Sequence, residues 1–269
     1  MNLETRYVSQ DTVEKNRLAV QVGGGYFRNS VNLLGVWPWA GPIERRENRT
    51  GGTVPAVRIQ EGDDVARGEE TRRRILDVAQ DGVLAKGFGA TSIDEIVANA
   101  EITKSGFFYH FRDKNALACA LIERHIEVED QLFDDLLGRA GDLADDPLQK
   151  ALIALKLLAE LIEDMPNGHP GCVVATAVYQ DRLFDRDVRE ANHRAVLGWR
   201  LRFRAMFDDI AAVYPAHEDV NLDQLADMVS SVIEGGIVMS RALADPSITA
   251  QQIMLLRSYV KVLFSPRLK

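Results

Sequence analysis

The sequence predicts an all-α protein in which a compact three-helix unit precedes a larger helical bundle. Apolar residues recur at helical spacing from about residue 72 onward. No stretch alternates apolar and polar residues as a half-buried strand would. Ser, Thr, Asp, Asn, Gly and Pro fall where such helices would start and stop.

The first helix is expected from about Arg72 to Lys86, with Ile75, Leu76, Ala79, Val83 and Leu84 on one face and Gly87 as its stop. A second opens at Thr91-Ser92, where Ser92 and Glu95 fit a capping box and Ile93, Val97 and Ala100 line one side. After a turn from Asn99 to Ile102, Thr103 caps a third, whose apolar residues Ile102, Phe107 and Phe111 face inward as core. Its remaining positions are Lys104, Ser105, Gly106, Phe108, Tyr109 and His110.

Phosphate contacts need cations, hydroxyls and free amides at a helix start, while base edges need short polar groups and methyl-sized apolar ones. The third helix offers all of these within two turns, as expected of a helix that enters a DNA groove. Gly106 costs about 1 kcal/mol relative to Ala in a helix interior, and a close approach of DNA backbone would compensate. Lys114, just past the Asp113 cap of the next helix, is expected to reach a flanking phosphate.

The segment TRRRILDVAQDGVLAKGFGATSIDEIVANAEITKSGFFYHFRDKNAL, residues 71–117, resembles the DNA-binding domain of the TetR family of bacterial transcriptional regulators. The resemblance implies a helix-turn-helix DNA-binding domain over residues 67–113 and a helical ligand-binding and dimerisation domain over 114–269. It places Ser92, Thr103, Lys104, Ser105, Gly106, Phe108, Tyr109, His110 and Lys114 on the DNA-facing positions. Two departures stand out: Glu101 where many relatives have Gly in the turn, and Phe108 where they usually have Tyr.

The chain has 269 residues, enough for two domains, and a formal net charge of −8. That charge argues against non-specific polyanion binding by the whole surface, so DNA affinity must come from a local patch. Arg72, Arg73, Arg74, Lys104, Arg112 and Lys114 are the candidates, with Glu69, Glu70, Asp94, Glu95 and Glu101 in the same unit. Two cysteines, Cys119 and Cys172, indicate no disulfide framework. MNLETRYVSQ lacks a basic region followed by an apolar core, so a cytoplasmic protein without membrane insertion is expected.

Residues 1–66 show scattered Gly, Pro and Asn and no sustained periodicity, and are expected to form a flexible extension. The alternatives are an arm that wraps DNA or docks a partner, or a translation start further in. The GGGYF stretch at Gly23 to Phe27 lacks the Lys-Ser/Thr ending of a phosphate-binding loop.

Beyond residue 113, helices are expected at about 114–139, 147–163, 171–180, 185–213, 222–243 and 249–264, with starts at Asp113, Asp146, Asn221 and Ser247. Leu225, Met228, Val229, Val232, Ile233, Ile237 and Met239, then Ile253, Leu256, Tyr259, Val260 and Leu263, make wide apolar stripes on the last two. They can be core. The resemblance implies instead that these helices pair across a two-fold axis, with Gly235-Gly236 allowing close approach there.

Glu190 and His193 supply one Glu-x-x-His pair, but a di-iron site needs a second pair and two further Glu, so no catalysis, metal or cofactor is expected. Cys172 follows Pro170-Gly171 in the expected first turn of a helix, where the dipole and free amides favour a thiolate. Some TetR-like regulators of electrophile or oxidant stress carry a Gly-Cys pair at a similar place. The plainer reading is a small buried Cys packing under a ligand cavity. Tyr179, Trp199 and Phe203, with Phe184 and Phe207, are aromatics that could line that cavity or serve as core.

Together these readings lead to a homodimeric repressor that a small apolar or electrophilic ligand releases from a pseudopalindromic double-stranded DNA operator. A thiol sensor acting through Cys172 is the alternative. A helical ligand carrier or enzyme with a vestigial DNA reader is a third, which sequence-specific DNA retention would rule out.

Overall fold

The computed structural model describes residues 60–265. The chain there forms helices α1 (Gln60–Ala90), α2 (Ile93–Asn99), α3 (Lys104–His110), α4 (Lys114–Leu143), α5 (Pro147–Glu163), α6 (Val173–Tyr179), α7 (Arg186–Val213), α8 (Leu222–Leu243) and α9 (Ser247–Phe264), with one 3-10 turn at Asp181–Leu183. No strand occurs among the described residues. The expectations for residues 1–59 lie outside them. Residues 60–66, expected in the extension, already belong to α1.

Local chemistry sets most boundaries. Asp113, Asp146, Asp185 and Asn221 each cap a helix, their side-chain oxygens accepting from backbone N–H groups of the first turn, a contact worth about 1 kcal/mol. Ser247 departs from expectation: it is the first residue of α9 and donates to Asp245, while Pro246 at the cap position makes no side-chain bond. Gly87 stops the regular run of α1 as expected, at φ 83° and ψ 165°, a conformation that side chains with Cβ resist. One short turn then continues to Ala90.

The turn after α2 is a Schellman motif: Ile102 N–H donates to Val97 C=O (3.1 Å) and Glu101 N–H to Ala98 C=O (3.2 Å). Glu101 takes the left-handed position at φ 51°, a conformation that Gly adopts most readily. A residue with Cβ there costs about 1 kcal/mol, part of which Gly returns through its freer unfolded chain. Glu101→Gly is therefore expected to stabilise the protein by about 0.5 kcal/mol, read as a small rise in Tm. An unchanged or lowered Tm would show that the turn is held by the Glu101 side chain instead.

Two apolar cores run through the described residues. In the first, Ile75, Ala79, Val83 and Phe88 of α1 meet Ile96, Phe107, Phe111, Leu117 and Leu121, and are sealed by Val173 and Ala177 of α6 and Val188 and Ala191 of α7. The second joins Leu136, Leu152, Leu155, Phe207, Ile210, Val229, Ile253, Val260 and Phe264. Trp199 packs against both. The three-helix unit thus shares its core with α4, α6 and α7, so movement of those helices is felt by α1.

The stripes on α8 and α9 divide. Leu225, Val229, Ile237, Ile253, Leu256, Val260 and Leu263 are buried inside this chain, whereas Met228, Met239 and Tyr259 are exposed, as are Val238, Leu243, Leu255 and Val262 outside the expected stripes. Gly236 also works within the chain, because a Cβ there would lie 3.0 Å from Thr249 Cα of α9, while Gly235 faces open space. Only Gly235 is left for an approach by another molecule.

Candidate nucleic-acid interface

Helix α3 is short and held from one side only. Phe107 is fully buried, with Phe111 5.8 Å away between ring centroids. Burial of such a side chain stabilises by about 2–3 kcal/mol and fixes the rotation of the helix about its axis. Thr103, Lys104, Ser105, Phe108 and Tyr109 consequently face solvent, Tyr109 at 84% exposure. Thr103 caps the helix by accepting from Gly106 N–H (3.0 Å), and its hydroxyl lies 2.9 Å from that of Ser105. A Cβ on Gly106 would sit 3.3 Å from Thr103 Oγ1, so this glycine also fits the cap itself.

Ser92 caps α2 by accepting from Glu95 N–H at 3.2 Å. The Glu95 carboxylate grips Lys86 Nζ at 2.6 Å instead of completing the box, tying the end of α1 to α2 and lowering its pKa. His110 is half-buried, with its ring edge-on to Tyr109 at 5.0 Å. Burial first, and then Arg72, push its imidazole pKa down, so it meets a ligand as a neutral ring. Cations are present but engaged: Lys104 pairs with Asp94 at 2.6 Å, Arg112 with Asp113 at 3.3 Å, and Arg72 lies over the Phe111 ring at 5.1 Å. The Lys104 and Arg112 pairs are exposed, worth little, and exchangeable for phosphate.

Lys114 departs from its expected role. Its ammonium donates to the Phe88 carbonyl at the end of α1, and burial lowers its pKa. The physical reason is the Gly87 break, which leaves nearby carbonyls without helical partners. The same region draws Gln180, whose Oε1 accepts from Gly89 N–H at 2.8 Å, and Arg241 of α8, whose guanidinium donates to Leu84 C=O at 3.3 and 3.4 Å. The end of α1 is therefore clamped by α4, the end of α6 and α8.

Of the expected pocket residues, the structure brings two together. Trp199 and Phe203 line a cavity with Glu129 and Phe133 of α4 and Ser230, Ile233 and Glu234 of α8. Its volume is about 40 Å³. Tyr179 stands outside it at 82% exposure, because the last turn of α6 faces solvent. Phe184 and Phe207 are core. Sequence reading missed Glu129 and Glu234; the signal was a lone carboxylate interrupting the apolar face of each helix.

Cys172 does cap α6, its sulfur accepting from Ala175 N–H at 3.4 Å, and it lies 3.5 Å from His125 Nε2. It does not line the cavity. The thiol is only 5% exposed, and burial, then Glu234 and Glu129, push its pKa well up rather than down. A seven-residue helix start cannot offset two nearby carboxylates. In the native protein Cys172 is expected to alkylate more slowly than the half-buried Cys119, with the difference vanishing in urea. Mass-spectrometric labelling rates check this, and faster native labelling of Cys172 would restore the thiolate reading.

Among the described residues, no three His, Cys, Asp or Glu side chains are arranged to hold a metal ion. None of the helices there is long and apolar enough to cross a membrane.

Residues 75–121 match the family model described as bacterial regulatory proteins, tetR family. The chain is 28% identical over 162 residues to the transcriptional regulator AcuR of Cereibacter sphaeroides, an alignment covering 58% of this chain and 69% of that protein. It is 32% identical over 68 residues to the HTH-type transcriptional repressor NemR of Escherichia coli, spanning 25% of this chain and only 34% of that one. The fold is similar to the crystal structure of reduced Escherichia coli NemR, with TM-score 0.61 and 18% identity over 74% of this chain and all (100%) of that one. A TetR regulatory protein from Rhodobacter sphaeroides aligns with TM-score 0.58 and 22% identity over 70% of this chain and 98% of that one.

Proposed function

This chain belongs to the TetR family of bacterial transcriptional regulators, and from that premise we propose that it is a homodimeric repressor which two copies of α3 seat on a pseudopalindromic operator. The observation that carries the reading is α3 itself, where buried Phe107 leaves Phe108 and Tyr109 exposed beside Lys104 and Ser105. In this reading Ser92, Thr103, Lys104 and Ser105 position the helix on phosphates, and Phe108, Tyr109 and neutral His110 meet base edges or sugar. Gly106 keeps the backbone close to the duplex. Lys114 supports the end of α1 rather than touching DNA.

Release follows from occupation of the cavity between α4, α7 and α8 by a small molecule with an apolar body. A ligand shifts the equilibrium only by binding the DNA-free geometry better, by a few kcal/mol. The clamp on α1 supplies the path, since Gln180 and Arg241 join α1 to the end of α6 and to α8. Reversible occupation is favoured over thiol chemistry, because Cys172 is buried beside two carboxylates.

Selection of bound sequences from random DNA by the purified protein tests the reading. A palindromic consensus supports it. Failure to enrich any sequence would leave a carrier or enzyme with a vestigial reader.

A further inference from the structure

We infer that the cavity is built for a primary ammonium carried on a compact aromatic or alkyl body, its N–H groups taken by Glu129 and Glu234. The inference rests on the effector reading of this cavity and names the chemical class of the effector.

The walls carry two chemistries at once. Phe133, Trp199 and Phe203 present rings, and Glu129 and Glu234 present carboxylates from α4 and α8. Glu129 Oε1 is engaged, 3.3 Å from His125 Nε2. Its Oε2 is buried and has no hydrogen-bond partner among the described residues. Stranding an acceptor in this way is destabilising, the more so when it is charged. An incoming N–H donor removes that cost.

The charges are unbalanced as well. Arg124 spends its guanidinium on Asp77, Gln80 and the Leu76 carbonyl, and Arg241 on the Leu84 carbonyl. His169 is held neutral, its pKa pushed down to about 4 by burial. Among the described residues His125 faces the two carboxylates: burial lowers its pKa, but Glu129 more than compensates and the net shift is upward. Burial and Glu129 push the carboxyl of Glu234 up, as like charges brought together do. One ligand cation would relieve this repulsion, and ring faces attract the same charge.

Shape and donor count narrow the class. A quaternary ammonium has no N–H for Glu129 Oε2, whereas a primary ammonium brings three. No three side chains among the described residues are set to hold a metal ion. The cavity has room for a few waters or one compact headgroup, with the body lying against Trp199 and Phe203.

Benzylammonium and benzyl alcohol share a body and differ in charge, so calorimetric titration of the full-length protein with each at neutral pH isolates the inference. Benzylammonium is expected to bind at least tenfold more tightly than the alcohol. Glu234→Gln and Glu129→Gln should each remove that preference, bringing the ratio of the two affinities to about one. Glu129 also holds His125, so if its variant melts early, Glu234→Gln decides alone. Equal affinity for the two probes, no binding of benzylammonium, or a preference that survives Glu234→Gln overturns the inference. Operator binding is followed in parallel by anisotropy. Specific DNA retention without amine binding would sink the cation site and spare the repressor, whereas amine binding that never releases DNA would keep the site and sink its effector role.

Discussion

Tyr109→Ala should lower operator affinity at least tenfold with almost no change in Tm. Tyr109 is 84% exposed, so the free protein loses only an edge contact with His110 when it is truncated. In the proposed complex the ring fills the groove, where each good contact to a base is worth about 1–3 kcal/mol. Lys104→Ala provides the electrostatic counterpart. It should weaken binding to all sequences alike and reduce the salt slope by about one. Lys114→Ala, by contrast, is expected to lower Tm by freeing the Phe88 carbonyl while leaving the salt slope unchanged, since its ammonium is turned inward. Fluorescence anisotropy across a salt series separates the three. If Tyr109→Ala binds as wild type does, α3 is not the reading helix.

Leu255→Asp combined with Val262→Asp is expected to convert the proposed dimer to a monomer and reduce operator affinity by two orders of magnitude or more, because one half-site alone then holds the protein. Leu255, Tyr259 and Val262 lie on one face of α9 at helical spacing, and Leu255 and Val262 are 62% and 69% exposed. Val238, Met239 and Leu243 of α8 are exposed too. Contiguous apolar surface of this kind is rare on monomers. Being exposed, the two α9 positions can take a charge without damage to the core. Ile237 cannot, since it is 4% exposed and its replacement would unfold the bundle. Sedimentation of the double variant as an intact dimer would move the interface elsewhere.

The exposed face of α3 and the buried one are both legible in the sequence. Thr103 announces the cap, and Phe107 and Phe111 four residues apart announce the inward side. Ser92, Asp113, Asp146 and Asn221 cap helices within a residue or two of the expected starts for the same reason: a cap is a bond between near neighbours in the chain. The cavity was half legible. Trp199 and Phe203 are aromatic, and aromatic residues on a helix invite the reading, but so did Tyr179, which points outward.

By itself, then, the sequence determined what rests on short-range chemistry: most helix starts, the apolar face of most helices, and the resemblance carried by residues 71–117, which marked Glu101 as a departure in the turn. Tertiary structure alone decided the rest. It chose Ile237 for the core and Met239 for the surface, two members of one apolar stripe. It folded Lys114 onto the open carbonyls at the end of α1 and set Cys172 beside carboxylates that defeat its helix dipole. It brought Glu129, Trp199 and Glu234 to one cavity. Each of these depends on groups tens of residues apart whose desolvation and charge exist only once the helices have packed.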